Sequence, residues 1–175
     1  MTKSLFFNLL GAAQLAIYTF ATAIPIQFQA LRGVVDILTI PKFSSRSFRS
    51  LRRGMLPKLI VSFIFSIVII GSYWLFAPIL YKFAFPQYQD SVVYTRYAGF
   101  IVLLIPASFL RQALLTHMKE KRIYANDLAE PILRICLYLV LIPKYKIWGA
   151  IFTLVSMAIL QLVYFTGAFY LDKER

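Results

Sequence analysis

LIVSFIFSIVIIGSYWLFAPILY, residues Leu59–Tyr81, is a run of 23 residues without a Lys, Arg, Asp or Glu. About 20 mostly apolar residues are enough for a helix to cross the hydrocarbon core of a bilayer. Two further uncharged runs, Ser4–Leu31 and Ile147–Leu171, contain 28 and 25 residues. The three runs therefore predict three membrane-spanning helices.

The composition of the whole chain agrees with a membrane protein. Of its 175 residues, 60% are hydrophobic and only 15% are charged, whereas a soluble domain is about half apolar and a quarter charged. One small soluble core cannot bury this much apolar surface. The composition excludes a soluble enzyme and a disordered chain, and it predicts a single all-α transmembrane domain over residues 1–175.

Two weaker apolar segments extend the prediction to about five spans. One centres on Tyr97–Leu110, and the other carries Glu130 and Arg134. These two side chains are four residues apart, so they can pair on one helix face, and neighbouring helices would shield them. The predicted spans are 9–31, 59–81, 95–115, 126–143 and 147–171.

The distribution of positive charge predicts the orientation. With five spans, 12 basic residues fall on one side and five on the other, and the Lys- and Arg-rich side is normally cytoplasmic. We therefore expect a cytoplasmic-membrane protein with a basic cytoplasmic loop at 42–58 and a cytoplasmic C-terminus. A cleaved signal peptide ending near Ala21-Thr22-Ala23 is the competing interpretation of the first span.

The basic loop has the pattern of an interfacial helix. Its apolar residues Phe43, Phe48, Leu51 and Met55 can share one helical face. The arginines around that face are candidate contacts for anionic lipid headgroups, and the alternative is a topology anchor without a specific ligand. These arginines are Arg46, Arg49, Arg52 and Arg53.

Ionisable side chains within or beside the spans are the main functional candidates. Arg32, Arg111 and Arg134 are candidate cations for an anionic substrate, and Asp36 and Glu130 are candidate coupling carboxylates. The alternative is local pairing, or extension of the side chain to the membrane surface. Two uncharged residues, Gln14 and Gln27, are candidates to face a polar cavity.

The sequence contains no pattern that indicates an enzyme. It has no Gly-rich phosphate loop, nucleophile elbow or metal-binding motif. Its net charge of +12 is interleaved with apolar runs, which favours membrane topology over nucleic-acid binding. We predict neither a cofactor nor a metal ion, and we expect membrane lipids to surround the protein.

Four motifs occur in an order that resembles a family of membrane transporters. They are LAIYTFATAIP (Leu15–Pro25), LFAPILYKFAFPQYQDSV (Leu75–Val92), QALLTHMKEKRIYAND (Gln112–Asp127) and LIPKYKIWGAIFTLVS (Leu141–Ser156). Together the motifs resemble the C-terminal half of lipid-linked oligosaccharide flippases, which are the polysaccharide-biosynthesis branch of the multidrug/oligosaccharidyl-lipid/polysaccharide exporter superfamily.

The resemblance implies alternating-access transport of a polyprenyl-diphosphate-linked glycan across the cytoplasmic membrane, for cell-surface polysaccharide biosynthesis. Family members have two lobes of six helices around a central cavity. With about five predicted helices, this chain corresponds to part of the C-terminal lobe. We therefore expect a missing N-terminal lobe or a partner chain. The rival functions are a multidrug/cation antiporter of the same superfamily and a membrane scaffold subunit that does not transport.

Overall fold

A computed structural model describes the backbone of residues 2–45, 47–117 and 120–171 and the side chains of residues 11–30, 32–45, 47–117 and 122–171. This part of the chain is helical and contains no strand, as predicted. The helices are α1 (Thr2–Ser44), α2 (Phe48–Ala84), α3 (Ser91–Ala98), α4 (Leu104–Thr116), α5 (Glu120–Tyr145) and α6 (Ile147–Leu171), with 3-10 turns at Pro86–Tyr88 and Gly99–Leu103.

Four helical segments of the described chain are long and apolar enough to cross a membrane. They are Gly11–Ser44, Phe48–Ala84, Ser91–Thr116 and Ile147–Leu171. The segment Ser91–Thr116 joins α3 and α4 through the 3-10 turn. The protein is therefore a helical membrane protein.

The predicted fifth span, 126–143, lies within α5 but is not one of these four segments. Helix α5 has 26 residues, which is sufficient length. Its middle carries Asp127, Glu130 and Arg134, and each such charge opposes insertion. Helix α5 therefore differs from the other four segments in charge, and not in length.

Helix α1 extends past the predicted end of the first span. The prediction placed that end at residue 31, before Arg32, but the helix runs to Ser44 and includes both Arg32 and Asp36. Near its start, Gly11 has a φ of 76°, which interrupts the regular helix. This left-handed region is readily adopted by glycine.

The basic segment 42–58 is not a loop. Helix α1 ends at Ser44, and α2 begins at Phe48 after Ser47, whose side-chain oxygen accepts a hydrogen bond from the backbone nitrogen of Ser50 at 3.4 Å. A serine in this position satisfies one of the free N–H groups of the first helical turn. Most of the basic segment is therefore the first three turns of α2.

The predicted apolar face of that segment is buried inside the protein. Phe43, Leu51 and Met55 are at most 2% exposed and pack with residues of α4 and α6, while the partly buried Phe48 packs against them. The ring of Phe48 also lies 5.3 Å from that of Phe169 in α6. The expectation of a membrane-facing interfacial helix is wrong because α4 and α6 cover this face.

At the opposite end of the molecule, aromatic residues hold the helices together. The Tyr81 hydroxyl donates to the backbone oxygen of Phe20 at 2.5 Å, which ties α2 to α1. The Thr95 hydroxyl in α3 lies 2.5 Å from that of Tyr73 and 3.2 Å from that of Tyr81. All three hydroxyl-bearing side chains are buried, so these contacts satisfy groups that would otherwise be unpaired in an apolar environment.

Helices α5 and α6 form a hairpin with a very short turn. Lys146 has a φ of 51°, and its backbone nitrogen donates to the oxygen of Ile142 at 2.8 Å. Three residues later, a Cβ on Gly149 would lie 2.2 Å from the backbone oxygen of Leu141. Only glycine fits this close approach of two helix backbones without a shift of one of them.

Candidate functional site

Charged residues from three helices converge on one side of the molecule. Arg32 of α1 lies within electrostatic range of Asp36 on its own helix, Arg111 of α4, and Asp127 and Glu130 of α5. Arg134 of α5 joins this group through an ion pair with Glu130. We call these six residues the charged cluster; it contains three arginines and three carboxylates.

Two ion pairs organise the cluster. Arg111 Nη2 lies 3.0 Å from Asp127 Oδ2, which joins α4 to α5, and the two side chains are 24% and 47% exposed. Arg134 pairs with Glu130 one helical turn earlier, with 41% and 20% exposure. Helix α5 thus places Asp127 and Glu130 against arginines. The guanidinium groups remain partly accessible from outside.

Pairing explains how these charges exist among membrane helices. An isolated ion in an apolar environment loses most of its hydration energy, and a nearby opposite charge with good geometry offsets much of that loss. Three arginines and three carboxylates have a formal charge of zero at neutral pH. The cluster is therefore neutral as a whole, although each arginine remains a strong hydrogen-bond donor.

Asp36 differs from the other acids of the cluster because Asp127 and Glu130 each form an ion pair with an arginine, and no such pair is found for Asp36 among the described residues. Its oxygen Oδ1 is buried and has no hydrogen-bond partner among the described residues. A buried carboxylate oxygen without a partner is unfavourable when it is ionised. A proton or a cation bound at Asp36 would relieve this cost.

A polar and aromatic strip continues from the cluster along α1. The Tyr18 side chain interacts with that of Tyr138 in α5, and Arg134 lies within electrostatic range of both rings. One helical turn before Tyr18, Gln14 has a buried Oε1 without a hydrogen-bond partner among the described residues. The strip presents an amide and two phenols, which are groups that hydrogen-bond sugar hydroxyls.

The structure brings together most of the predicted site residues and adds one. Asp127 was not predicted because its partner Arg111 is 16 residues earlier, on another helix. The available signal was its position three residues before Glu130, which places both acids on one helix face.

Gln27 does not join the site: it is exposed and lies about 140° around the helix from Arg32.

The predicted lipid-contacting arginines have different surroundings. Arg49 and Arg53 are exposed. Arg52 donates to the backbone oxygen of Tyr170, and its guanidinium carbon lies 5.9 Å from the centre of that ring, so it joins α2 to α6. Arg46 lies outside the described residues.

The comparisons with known proteins do not test the family resemblance of the sequence motifs, which remains an expectation. No protein-family model, curated protein or solved structure matches the chain. Among the side chains that the structure describes, no group of three His, Cys, Asp or Glu residues is placed to bind a metal ion. The charged cluster and the strip beside it are therefore the features of the described chain that bear on function.

Proposed function

We propose that this protein is a transporter component that moves a polyprenyl-diphosphate-linked oligosaccharide across the cytoplasmic membrane by alternating access. The observation that carries the proposal is the convergence of Arg32, Arg111 and Arg134 from three helices on one partly exposed site. Arginine donates paired hydrogen bonds that match the oxygens of a phosphate group. The substrate serves cell-surface polysaccharide biosynthesis.

Ion-pair exchange gives the cluster a mechanism. Without substrate, Asp127 and Glu130 neutralise Arg111 and Arg134 and hold their guanidinium groups in place. An arriving diphosphate carries more negative charge than a carboxylate and replaces it as the partner of the arginines. The sugar chain then lies beside the partly buried Gln14 and Tyr18, whose amide and hydroxyl groups can hydrogen-bond to it.

Alternating access needs helices on both sides of the substrate. In this proposal α5 is the fifth span, and its ion pairs lower the cost of inserting it. The basic start of α2 and the C-terminus face the cytoplasm, as the excess of Lys and Arg predicts. The second wall of the cavity comes from another lobe or a partner chain, and transporter substrates are commonly bound between two such halves.

A binding experiment tests the cluster directly. The purified protein is titrated with undecaprenyl diphosphate, and Arg32→Gln, Arg111→Gln and Arg134→Gln are compared with the unsubstituted chain. A hydrogen bond to a charged group contributes about 1.5–3 kcal/mol, so each variant is expected to bind roughly 10- to 100-fold more weakly.

The matched control is Arg96→Gln. Arg96 is also partly buried, but it lies by Trp74, to whose backbone oxygen its Nε donates at 3.1 Å. The assignment of the cluster is refuted if the three cluster variants bind undecaprenyl diphosphate as tightly as the unsubstituted chain does. It is also refuted if Arg96→Gln loses as much affinity as the cluster variants lose. Normal surface glycan in cells that carry the three cluster substitutions together also refutes it.

Asp36 favours a second candidate function, a multidrug/cation antiporter. Its unpartnered buried oxygen is suited to bind a proton or a cation. Proton- or sodium-dependent dye efflux that is lost in Asp36→Asn, together with no affinity for undecaprenyl diphosphate, selects the antiporter. Binding of the diphosphate without dye efflux selects the flippase.

A further inference from the structure

We infer that an anionic membrane phospholipid occupies a crevice between α1 and α2, on residues separate from the charged cluster. The crevice consists of two adjoining cavities of about 590 and 490 Å3. They share three lining residues, Val35, Lys58 and Phe109, so the two cavities meet beside these side chains. Each volume is typical of a small-molecule site, at about 300–1,000 Å3.

The inner part of the crevice is suited to an acyl chain. Val34 and Val61 line its two sides, and Phe65, Ile105 and Phe109 complete an almost wholly apolar surface. All of these residues belong to segments that are long and apolar enough to span the membrane. A space that opens between two spanning helices borders the lipid chains directly, so a lipid can enter it without crossing water.

The outer part of the crevice carries positive charge. Lys42 near the end of α1 and Lys58 of α2 both line the second cavity. The Lys58 ammonium lies 5.1 Å from the centre of the Phe43 ring, a cation–π contact that holds it at the rim. No carboxylate lines either cavity within the described part of the chain. The two lysines complement a headgroup with a net negative charge.

A buried hydroxyl marks the level between headgroup and chain. The Ser62 Oγ in the first cavity is buried and has no hydrogen-bond partner among the described residues. Ser62 is one turn beyond Lys58, about 6 Å along α2. A phospholipid whose phosphate lies at the lysines places its ester carbonyls near this depth, where a rotation of the Ser62 side chain toward the cavity would let its hydroxyl donate a hydrogen bond to one of them.

These features favour a lipid over a helix of another chain. A packed helix fills a crevice with side chains and does not require a cationic rim. Along the crevice the two lysines come first, then the unpartnered hydroxyl, and then the apolar interior. This order matches the phosphate, the ester and the acyl chain of one phospholipid. The lysines are distinct from the arginines on which the predicted lipid contacts rested.

The test measures which lipids remain bound to the full chain. The protein is equilibrated in detergent with equal amounts of phosphatidylglycerol and phosphatidylcholine, and its bound lipids are counted by native mass spectrometry. We expect one retained phosphatidylglycerol per chain. Each basic residue near an anionic surface strengthens binding by about fivefold, so Lys42→Gln and Lys58→Gln should each lower the phosphatidylglycerol preference by that factor.

Three further variants locate the site. Lys82→Gln removes an exposed charge from the last turn of α2, and Lys82 does not line the crevice, so this variant should leave the preference unchanged. Val35→Phe fills the shared part of the crevice and should reduce retention of both lipids. Ser62→Ala leaves the lysines and the volume almost unchanged and should weaken retention of both lipids by a smaller factor.

Three results would overturn the inference. The first is a wild-type protein without preference between the two lipids. The second is a loss of preference in Lys82→Gln that equals the loss in Lys42→Gln and Lys58→Gln. The third is a wild-type protein that forms a dimer without bound lipid, together with a Val35→Phe variant that is monomeric. That result would identify a second copy of the chain as the occupant of the crevice.

Discussion

Replacement of Gly149 by alanine should destabilise the protein through a single methyl group. In the α5–α6 hairpin that methyl would lie 2.2 Å from the backbone oxygen of Leu141 and 2.5 Å from its carbonyl carbon. Because both atoms are backbone, no side-chain rotation relieves the overlap, and the two helices must separate. The turn at Lys146, with its positive φ, leaves little chain to absorb that movement.

The size of the effect follows from two opposing terms. Overpacking of a tight interface costs typically 1–3 kcal/mol, and a clash with rigid backbone belongs at the upper end, about 3 kcal/mol. Alanine is a better helix former than glycine by about 1 kcal/mol. The net loss is therefore about 2 kcal/mol, which for a chain of this size corresponds to a fall in melting temperature of about 4–8 °C.

The assay is unfolding in mixed micelles, followed by tryptophan fluorescence. Trp148 directly precedes Gly149, and its ring lies 5.0 Å from that of Tyr94 and 5.2 Å from that of Tyr97, so its emission reports on the loss of packing at this turn. Circular dichroism measures the loss of helix in the same samples.

Gly71→Ala is the matched control. Gly71 lies in α2, and a Cβ there would meet no atom within 4 Å. The same substitution should leave this variant unchanged or up to about 1 kcal/mol more stable. Equal stability of Gly149→Ala and Gly71→Ala would refute the close approach of α5 and α6.

Two further changes test polar contacts between helices. Thr95→Val removes the hydroxyl next to two buried tyrosines of α2, and it should lower the free energy of unfolding by about 1–3 kcal/mol. Thr153→Val is the control, because the hydroxyl that it removes donates to the backbone oxygen of Gly149 in its own helix. An equal loss of unfolding free energy in the two variants would contradict this prediction. For the Arg111–Asp127 pair, a double-mutant cycle with Arg111→Gln and Asp127→Asn should give a coupling energy of up to about 1 kcal/mol; a coupling of zero would show that the pair does not stabilise the α4–α5 contact.

Apolar run length predicted part of this fold well. Helix α6 occupies the predicted range 147–171, and the uncharged run 59–81 lies entirely within α2. Charges were used to place the ends of spans, but they do not mark the ends of the helices. Helix α1 continues through Arg32 and Asp36 to Ser44, because charges that approach partners on other helices do not have to leave the helix. Such partners cannot be recognised from one run of residues.

The candidate site shows the same limit. Spacing of four residues indicated the pairing of Glu130 with Arg134, which is local in the chain. The pairing of Arg111 with Asp127 depends on how α4 packs against α5, and hydropathy carries no information about that packing. Gln27 was selected for its polarity alone, but its direction around α1 separates it from the cluster.

The composition of the charged cluster affects how the whole chain meets a membrane. The chain has 19 basic and 7 acidic residues, and the cluster uses three of each. Outside it, 16 basic residues stand against only four acidic ones. Nearly half of the acids thus lie in the cluster, and the segments outside it are strongly basic. The signal that orients the protein during insertion is an excess of Lys and Arg, and most of the residues that supply it therefore lie outside the cluster.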